Sequence, residues 1–238
     1  MARKIRIYAR DLACGSVDVV GPQVHHARNV LRLKAGDPVE LFDGQGHYAT
    51  AGLTQVSRDR LTFLVISVET DAADAGAART VVLASAIPKS QSSAQECLVS
   101  HGTELGVDEF WPLIFERSSV RRVGLDKWQR WSIEACKQCG RNGLPKIVEP
   151  MALDHALQQL TRFDLKIHGS AEGACLPDRT RMPPDWKQAI IFVGPEGGFT
   201  DDELRLLSGH DVMPFRVGDH ILRIETAGLA ITAAVISN

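Results

Sequence analysis

Ala189-Ile190-Ile191-Phe192-Val193-Gly194-Pro195-Glu196-Gly197-Gly198-Phe199-Thr200-Asp201-Asp202-Glu203 changes local structure twice. Residues 189–193 form a continuous apolar run of strand length, the pattern of a strand buried on both faces. Three glycines between 194 and 198 then let the backbone turn sharply and bring N–H groups close to a ligand. Thr200 followed by Glu203 is a capping box that opens a helix through Leu207. A buried strand passing through a tight turn into a capped helix is a unit of a parallel α/β sheet.

The same alternation recurs outward from this stretch. Residues 80–86, 110–114, 164–168 and 215–217 read as further strands. Residues 95–105 read as a helix with Cys97, Leu98, His101 and Leu105 on its inward stripe, stopped by Gly106. Residues 126–139 read as a helix with Trp128, Trp131, Ala135 and Cys139 inward, and 226–236 as an apolar final helix. Together they predict a mostly parallel sheet with helices on both faces.

The N-terminal third differs. Residues 38–43, the turn Gly44-Gln45-Gly46, residues 47–51 and residues 60–68 read as closely spaced strands. Residues 24–32, apolar at 24, 27, 30 and 31, read as one short helix. This predicts a compact β-barrel. The small and acidic residues 71–78 read as a linker, giving domains 1–72 and 79–238.

Composition narrows the function classes. The chain has 238 residues, 44% hydrophobic and 24% charged, which suits a folded globular protein rather than a disordered or fibrous one. No apolar run approaches the roughly 20 residues of a membrane span, and the charged N-terminus precedes no apolar segment of a signal peptide. The expected location is the cytoplasm, with no membrane partner. The five cysteines are odd in number and scattered. Cys136 and Cys139 form a Cys-x-x-Cys pair on a helical pattern with no second pair at zinc spacing, so packing competes with metal or redox chemistry and no metal is expected.

Net charge is −2, yet residues 1–34 hold seven Lys and Arg against two Asp, and residues 71–238 hold 18 Lys and Arg against 22 Asp and Glu. A basic N-terminal face on a slightly acidic body suits a polyanionic partner; an ordinary solvated face reads the same.

Three segments carry candidate chemistry. The loop 194–200 is neither G-x-x-x-x-G-K-[ST] nor G-x-G-x-x-G, which leaves another ligand loop or a tight connection. In Val217-Gly218-Asp219-His220-Ile221-Leu222-Arg223-Ile224-Glu225-Thr226-Ala227, Thr226 is a candidate N-cap and Glu225 lies near the helix's positive end. A capped helix with a surface ion pair is the plainer reading. Glu104, in His101-Gly102-Thr103-Glu104-Leu105-Gly106, is either functional or a solvated last-turn residue.

In chain order, Thr103-Glu104-Leu105-Gly106-Val107, Glu116-Arg117-Ser118, Glu134-Ala135-Cys136-Lys137-Gln138-Cys139-Gly140-Arg141 with Pro145, the loop 194–200 and Leu222-Arg223-Ile224-Glu225-Thr226-Ala227 resemble the bacterial ribosomal RNA small subunit methyltransferase E family of the SPOUT class. Residues 26–32 and Leu41-Phe42-Asp43-Gly44 extend the likeness to the N-terminal domain.

The resemblance implies an α/β fold: a SPOUT-type trefoil-knotted parallel sheet with an N-terminal PUA-like β-barrel domain for RNA, assembled as a homodimer. It implies methyl transfer from S-adenosylmethionine to N3 of a uridine in the decoding region of 16S rRNA, as free RNA or in the small ribosomal subunit. Cofactor-binding positions would be Leu83, Ala84, Ser85, Gly194, Pro195, Glu196, Gly197, Gly198, Gly218, Ile221, Leu222 and Thr226. Arg223 would stabilise charge on the uracil, with Glu225 or Glu196 orienting it or accepting a proton. Arg6, Arg10, Arg28, Arg32, Arg117 and Arg141 would bind RNA. Where the family has Lys and Arg, this chain has His101 and His220. Those departures motivate one alternative, a catalytically silent RNA-binding or ribosome-assembly factor. A separate alternative is a SPOUT enzyme acting on another RNA, against which the N-terminal domain and Glu104-Leu105-Gly106 argue.

Overall fold

The computed structural model describes residues 5–71, 79–89, 92–175, 182–183 and 185–237. Most of the segment read as a linker, residues 72–78, lies outside them, as do Arg3, Lys4, Ser90 and Gln91. The chain divides into two compact units, Met1–Ala77 with Cys136–Leu144, and Ala78–Ala135 with Pro145–Asn238.

The first unit contains β1 (Arg6–Tyr8), β2 (Gly15–Val20), α1 (Pro22–Asn29), β3 (Pro38–Phe42), β4 (His47–Val56), β5 (Arg60–Val65) and β6 (Glu69–Thr70). Its six strands form one curled sheet in the order β1-β3-β4-β5-β2, with β6 on β4. Only β1–β3 is parallel. Period-two patterning decides which side chains point inward. In β2, Val17 and Val19 are buried between exposed Ser16, Asp18 and Val20. They join Ile7, Leu41, Leu53, Leu61 and Phe63 in one apolar core. The expected turn at 44–46 is present, and the Asp43 carboxylate accepts the N–H groups of Gln45 (2.7 Å) and His47 (3.1 Å).

The second unit contains β7 (Thr80–Ala86), α2 (Ser92–Leu105), β8 (Glu109–Ile114), α3 (Leu125–Cys139), β9 (Lys146–Ile147), β10 (Met151–Ala152), α4 (Leu153–Leu157), β11 (Leu165–Cys175), β12 (Gln188–Val193), α5 (Asp201–Gly209), β13 (Met213–Arg216) and α6 (Ile224–Ile236). The last residues of α3 belong to the segment grouped with the first unit. Every ladder of this sheet is parallel, in the order β10-β8-β7-β12-β11-β13, with β9 on β8. The parallel α/β expectation holds, and the central strands are the apolar runs read from sequence. In β12 the residues Ala189–Val193 are all buried.

Several sequence expectations need correction. In α2 the inward residues are Leu98, Val99, Gly102 and Thr103, whereas His101 is exposed and pairs with Glu104 at 3.0 Å. In α3 Cys136 is buried but Cys139 is exposed, so the pair does not share one face; Trp128, Ser132 and Ala135 complete the buried stripe. The final helix begins at Ile224 with Arg223 at its N-cap position, two residues before the expected Thr226. Apolar Ile224 is buried and anchors that first turn. β11 runs on to Cys175 through a register shift between Gly169 and Ala174, beyond the expected end at His168.

Candidate active site

Open parallel sheets leave a crevice outside the carboxyl ends of their strands, and here a cavity of about 570 Å³ occupies one. The middle of β11 (residues 169–171), at its register shift, and the ends of β12 (193) and β13 (215–216) form its floor. The Gly-rich loop 194–199, the segment 220–224 and Ala227 and Ile231 of α6 close it.

The Gly-rich loop is held in one shape. Its far end is the Thr200 capping box. The Thr200 hydroxyl accepts the Glu203 N–H at 3.2 Å, and the Glu203 carboxylate accepts the Thr200 N–H at 2.8 Å. Gly198 sits at φ +72°, a conformation side chains rarely adopt, and donates to Pro195 O at 2.8 Å. A Cβ on Gly194 would come within 3.1 Å of the Phe199 ring. Phe199 is itself edge-on to Phe115 (5.2 Å) and to His168 (5.5 Å). His168 is 5% exposed, and burial pushes its imidazole pKa below the ordinary value.

The mouth is formed by segment 220–224. Ile221 is 92% exposed, Leu222 half-buried, and His220 and Arg223 exposed. Arg223 is extended at the N-cap of α6 and makes no side-chain capping bond, so its guanidinium is not committed to the helix end. Glu196 is exposed and accepts the Lys89 N–H at 2.9 Å. Glu225, in the first turn of α6, lies near Cys97. Burial first, and that carboxylate second, push the Cys97 thiol up.

The structure therefore gathers Gly194, Pro195, Glu196, Gly197, Gly198, Ile221, Leu222 and Arg223 around one cavity. Leu83, Ala84 and Ser85 are buried along β7, paired with β12 from Ile191 to Val193, and are not among the lining residues. Gly218, Glu225 and Thr226 stand beside lining residues without lining the cavity themselves. Sequence reading passed over residues 169–171 and Ile231, and quoted Val217 and Ala227 in a candidate segment without giving them a role. Residues 169–171 lie inside β11, whose continuation to Cys175 has no apolar periodicity in the sequence to announce it.

The arginines divide by environment. Arg10, Arg28 and Arg32 are exposed on the first unit, and Arg28 also donates to Arg58 O at 3.0 Å. Arg141 is half-buried. Arg6 corrects the RNA-binding expectation. It is 8% exposed, pairs with Glu40 at 2.7 Å, donates to Cys136 O and to the Asn142 side chain, and lies over the Phe42 ring. A guanidinium engaged on all sides cannot also hold a phosphate. Arg117 is exposed but donates to loop carbonyls at the cavity. Among the described residues no group of three His, Cys, Asp or Glu is arranged to hold a metal ion, and no helix is long and apolar enough to cross a membrane.

Known proteins share this fold. The RNA methyltransferase domain family matches residues 76–236, and the RNA methyltransferase PUA domain family matches residues 21–66. Ribosomal RNA small subunit methyltransferase E from Bacillus subtilis is 29% identical, over 91% of this chain and 88% of its own length. The Mycobacterium bovis protein of the same name is 30% identical, over 93% and 86%. The crystal structure of the Neisseria gonorrhoeae protein of that name, bound to S-adenosylmethionine, superposes with a TM-score of 0.86 at 30% identity. It covers 98% of this chain and 97% of that one. An N-terminal PUA domain, a parallel α/β sheet with a crevice at its strand ends and this likeness along nearly the whole chain lead to one conclusion: the chain belongs to the ribosomal RNA small subunit methyltransferase E family of RNA methyltransferases.

Proposed function

We propose that this protein methylates N3 of a uridine in the decoding region of 16S rRNA, with S-adenosylmethionine as methyl donor, during maturation of the small ribosomal subunit in the cytoplasm. The observation that carries this reading is the 570 Å³ cavity, with a rigid Gly-rich loop on one side and Arg223 at its mouth. Its size is that of a small-molecule site. The donor set fits S-adenosylmethionine: Val217, Leu222, Ala227 and Ile231 offer apolar surface, and the glycine loop lets backbone groups approach an adenine without a side chain between.

When bound, S-adenosylmethionine supplies an electrophilic methyl on a sulfonium that departs as a neutral thioether. The chain's own residues then do the remaining work. Uridine N3 is a weak acid, so the attacking base carries negative charge onto its oxygens. Arg223, fixed at its backbone by α6 and free at its head, stabilises that charge. Glu225, in the same turn, takes up the proton that N3 loses as the methyl is transferred, or orients Arg223 once the RNA is bound. Glu196 holds the segment at Lys89 against the loop through its 2.9 Å bond, which sets the cavity's edge. Arg10, Arg28 and Arg32 position the RNA through its phosphates. The reading carries with it a trefoil-knotted second unit and a homodimer.

The test is a methyl-transfer assay with labelled S-adenosylmethionine and small subunits from cells lacking their own enzyme, followed by nucleoside digestion. Label in 3-methyluridine supports the reading. Label in another nucleoside moves the target and removes the N3 assignment. Cofactor and RNA binding without label would mean a silent assembly factor, the alternative that His220 at the cavity favours because a weaker cation stands there.

A further inference from the structure

The segment after β8 is stapled to the start of α5. Glu203 is 7% exposed and uses both carboxylate oxygens: Oε2 accepts the Thr200 N–H, and Oε1 accepts the Glu116 N–H at 2.8 Å. From the next residue, Arg117 reaches back to the Gly-rich loop. Its Nη1 donates to Gly197 O at 2.9 Å and to Phe199 O at 3.3 Å. Its Cβ and Cδ lie 3.4 Å from where a Cβ on Gly197 would stand.

Two peptide planes are thereby held at both ends. The plane between Gly197 and Gly198 accepts from Arg117 on its carbonyl and donates its N–H to Pro195 O at 2.8 Å. The plane between Phe199 and Thr200 accepts from Arg117 and donates to Glu203. A planar peptide tied at oxygen and hydrogen cannot rotate. The loop enters binding already shaped, which removes an ordering cost from ligand association.

We propose that Arg117 is a positioning residue for the cofactor: it sets the Gly-rich loop, with Glu203, and is not a phosphate contact. This rests on the reading that the cavity takes S-adenosylmethionine. A planar five-donor fork suits this task, and a lysine ammonium does not reproduce its geometry.

The experiment compares Arg117→Ala, Arg117→Lys and Arg121→Ala, the last removing an exposed arginine of the same segment. S-adenosylmethionine binding is measured calorimetrically on RNA-free protein, affinity for small-subunit RNA by filter binding, and amide exchange of residues 194–200 without ligand. The expected result is about tenfold weaker binding for Arg117→Ala, the effect of losing charge-assisted hydrogen bonds. Faster exchange at Gly198 and Thr200 accompanies it, Arg117→Lys restores only part, and Arg121→Ala behaves as wild type. Wild-type cofactor affinity and exchange in Arg117→Ala would overturn the proposal, and a loss confined to RNA affinity would return Arg117 to the phosphate contacts. If wild-type protein binds no S-adenosylmethionine, the functional reading fails instead, while the exchange measurement still decides whether Arg117 sets the loop.

Discussion

Arg6 donates through Nη1 to the carbonyl oxygen of Cys136 at 2.6 Å, joining residues 130 positions apart in the chain. The same side chain pairs with Glu40 and donates to the Arg141 carbonyl and the Asn142 side chain. It is the hub that ties the segment 136–144 into the first unit. Arg6→Ala strips these buried acceptors of their donor at once, a loss of about 3 kcal/mol by the behaviour of broken buried pairs. Urea unfolding of Arg6→Ala is expected to show a lower midpoint, with Arg6→Lys between it and wild type. An unshifted midpoint would refute the hub.

The Gly-rich loop makes a paired prediction. Gly194→Ala forces a Cβ to 3.1 Å from a Phe199 ring that Phe115 and His168 hold on two sides. The loop must shift, and S-adenosylmethionine binding weakens. Gly209→Ala, at the end of α5, meets no atom within 4 Å and adds up to about 1 kcal/mol of helix stability. Calorimetric binding and thermal unfolding of both variants should give opposite signs. Tight binding by Gly194→Ala would show that the loop yields.

Arg223 separates binding from chemistry. Its backbone caps α6 while its side chain makes no capping bond, so Arg223→Ala leaves the helix and cavity in place. Methyl transfer is expected to fall about a hundredfold, the scale of losing one charge-stabilising donor. Cofactor affinity stays at the wild-type value. Wild-type turnover would remove Arg223 from the chemistry.

The buried imidazole of His168 sets a pH dependence. Burial holds its folded pKa below the ordinary value of 6.5, so the unfolded chain binds the proton more readily. Nothing is lost while both states are neutral, above about pH 6.5. Stability falls as pH drops below that value toward the folded pKa. His168→Phe keeps an aromatic edge against Phe199 and lacks the proton site. Melting temperatures between pH 7.5 and 5 should therefore decline less steeply for the variant. Parallel declines would mean that other groups carry the acid sensitivity.

Much of the fold was legible because its signals are local. The apolar runs at 80–86 and 189–193 read as buried strands, and the Thr200–Glu203 pair read as a helix start. Each follows from neighbours within a few residues. The helix faces were harder. His101 and Cys139 sit at helical spacing from apolar residues, yet one is drawn outward by Glu104 and the other ends its helix in solvent.

Legibility at the site follows the same division. The loops 194–198 and 221–223 carry composition unusual enough to be noticed, and both line the cavity. The sequence marked Arg6 and Arg117 as RNA contacts and Glu203 as a capping residue, but nothing local marked Cys136, Gly197 or Glu116 as the partner each finds far along the chain.

By itself the sequence determined the two types of layer, the order of most strands and helices along the chain, the capped turn into α5 and the two loops that line the cavity. Tertiary structure alone decided which of those loops meet, that β7 contributes buried strand rather than cavity wall, and which arginines stay at the surface. The physical reason is range. Periodicity and capping act between residues three or four positions apart, whereas burial and hydrogen-bond partnership depend on groups 80 to 136 positions away.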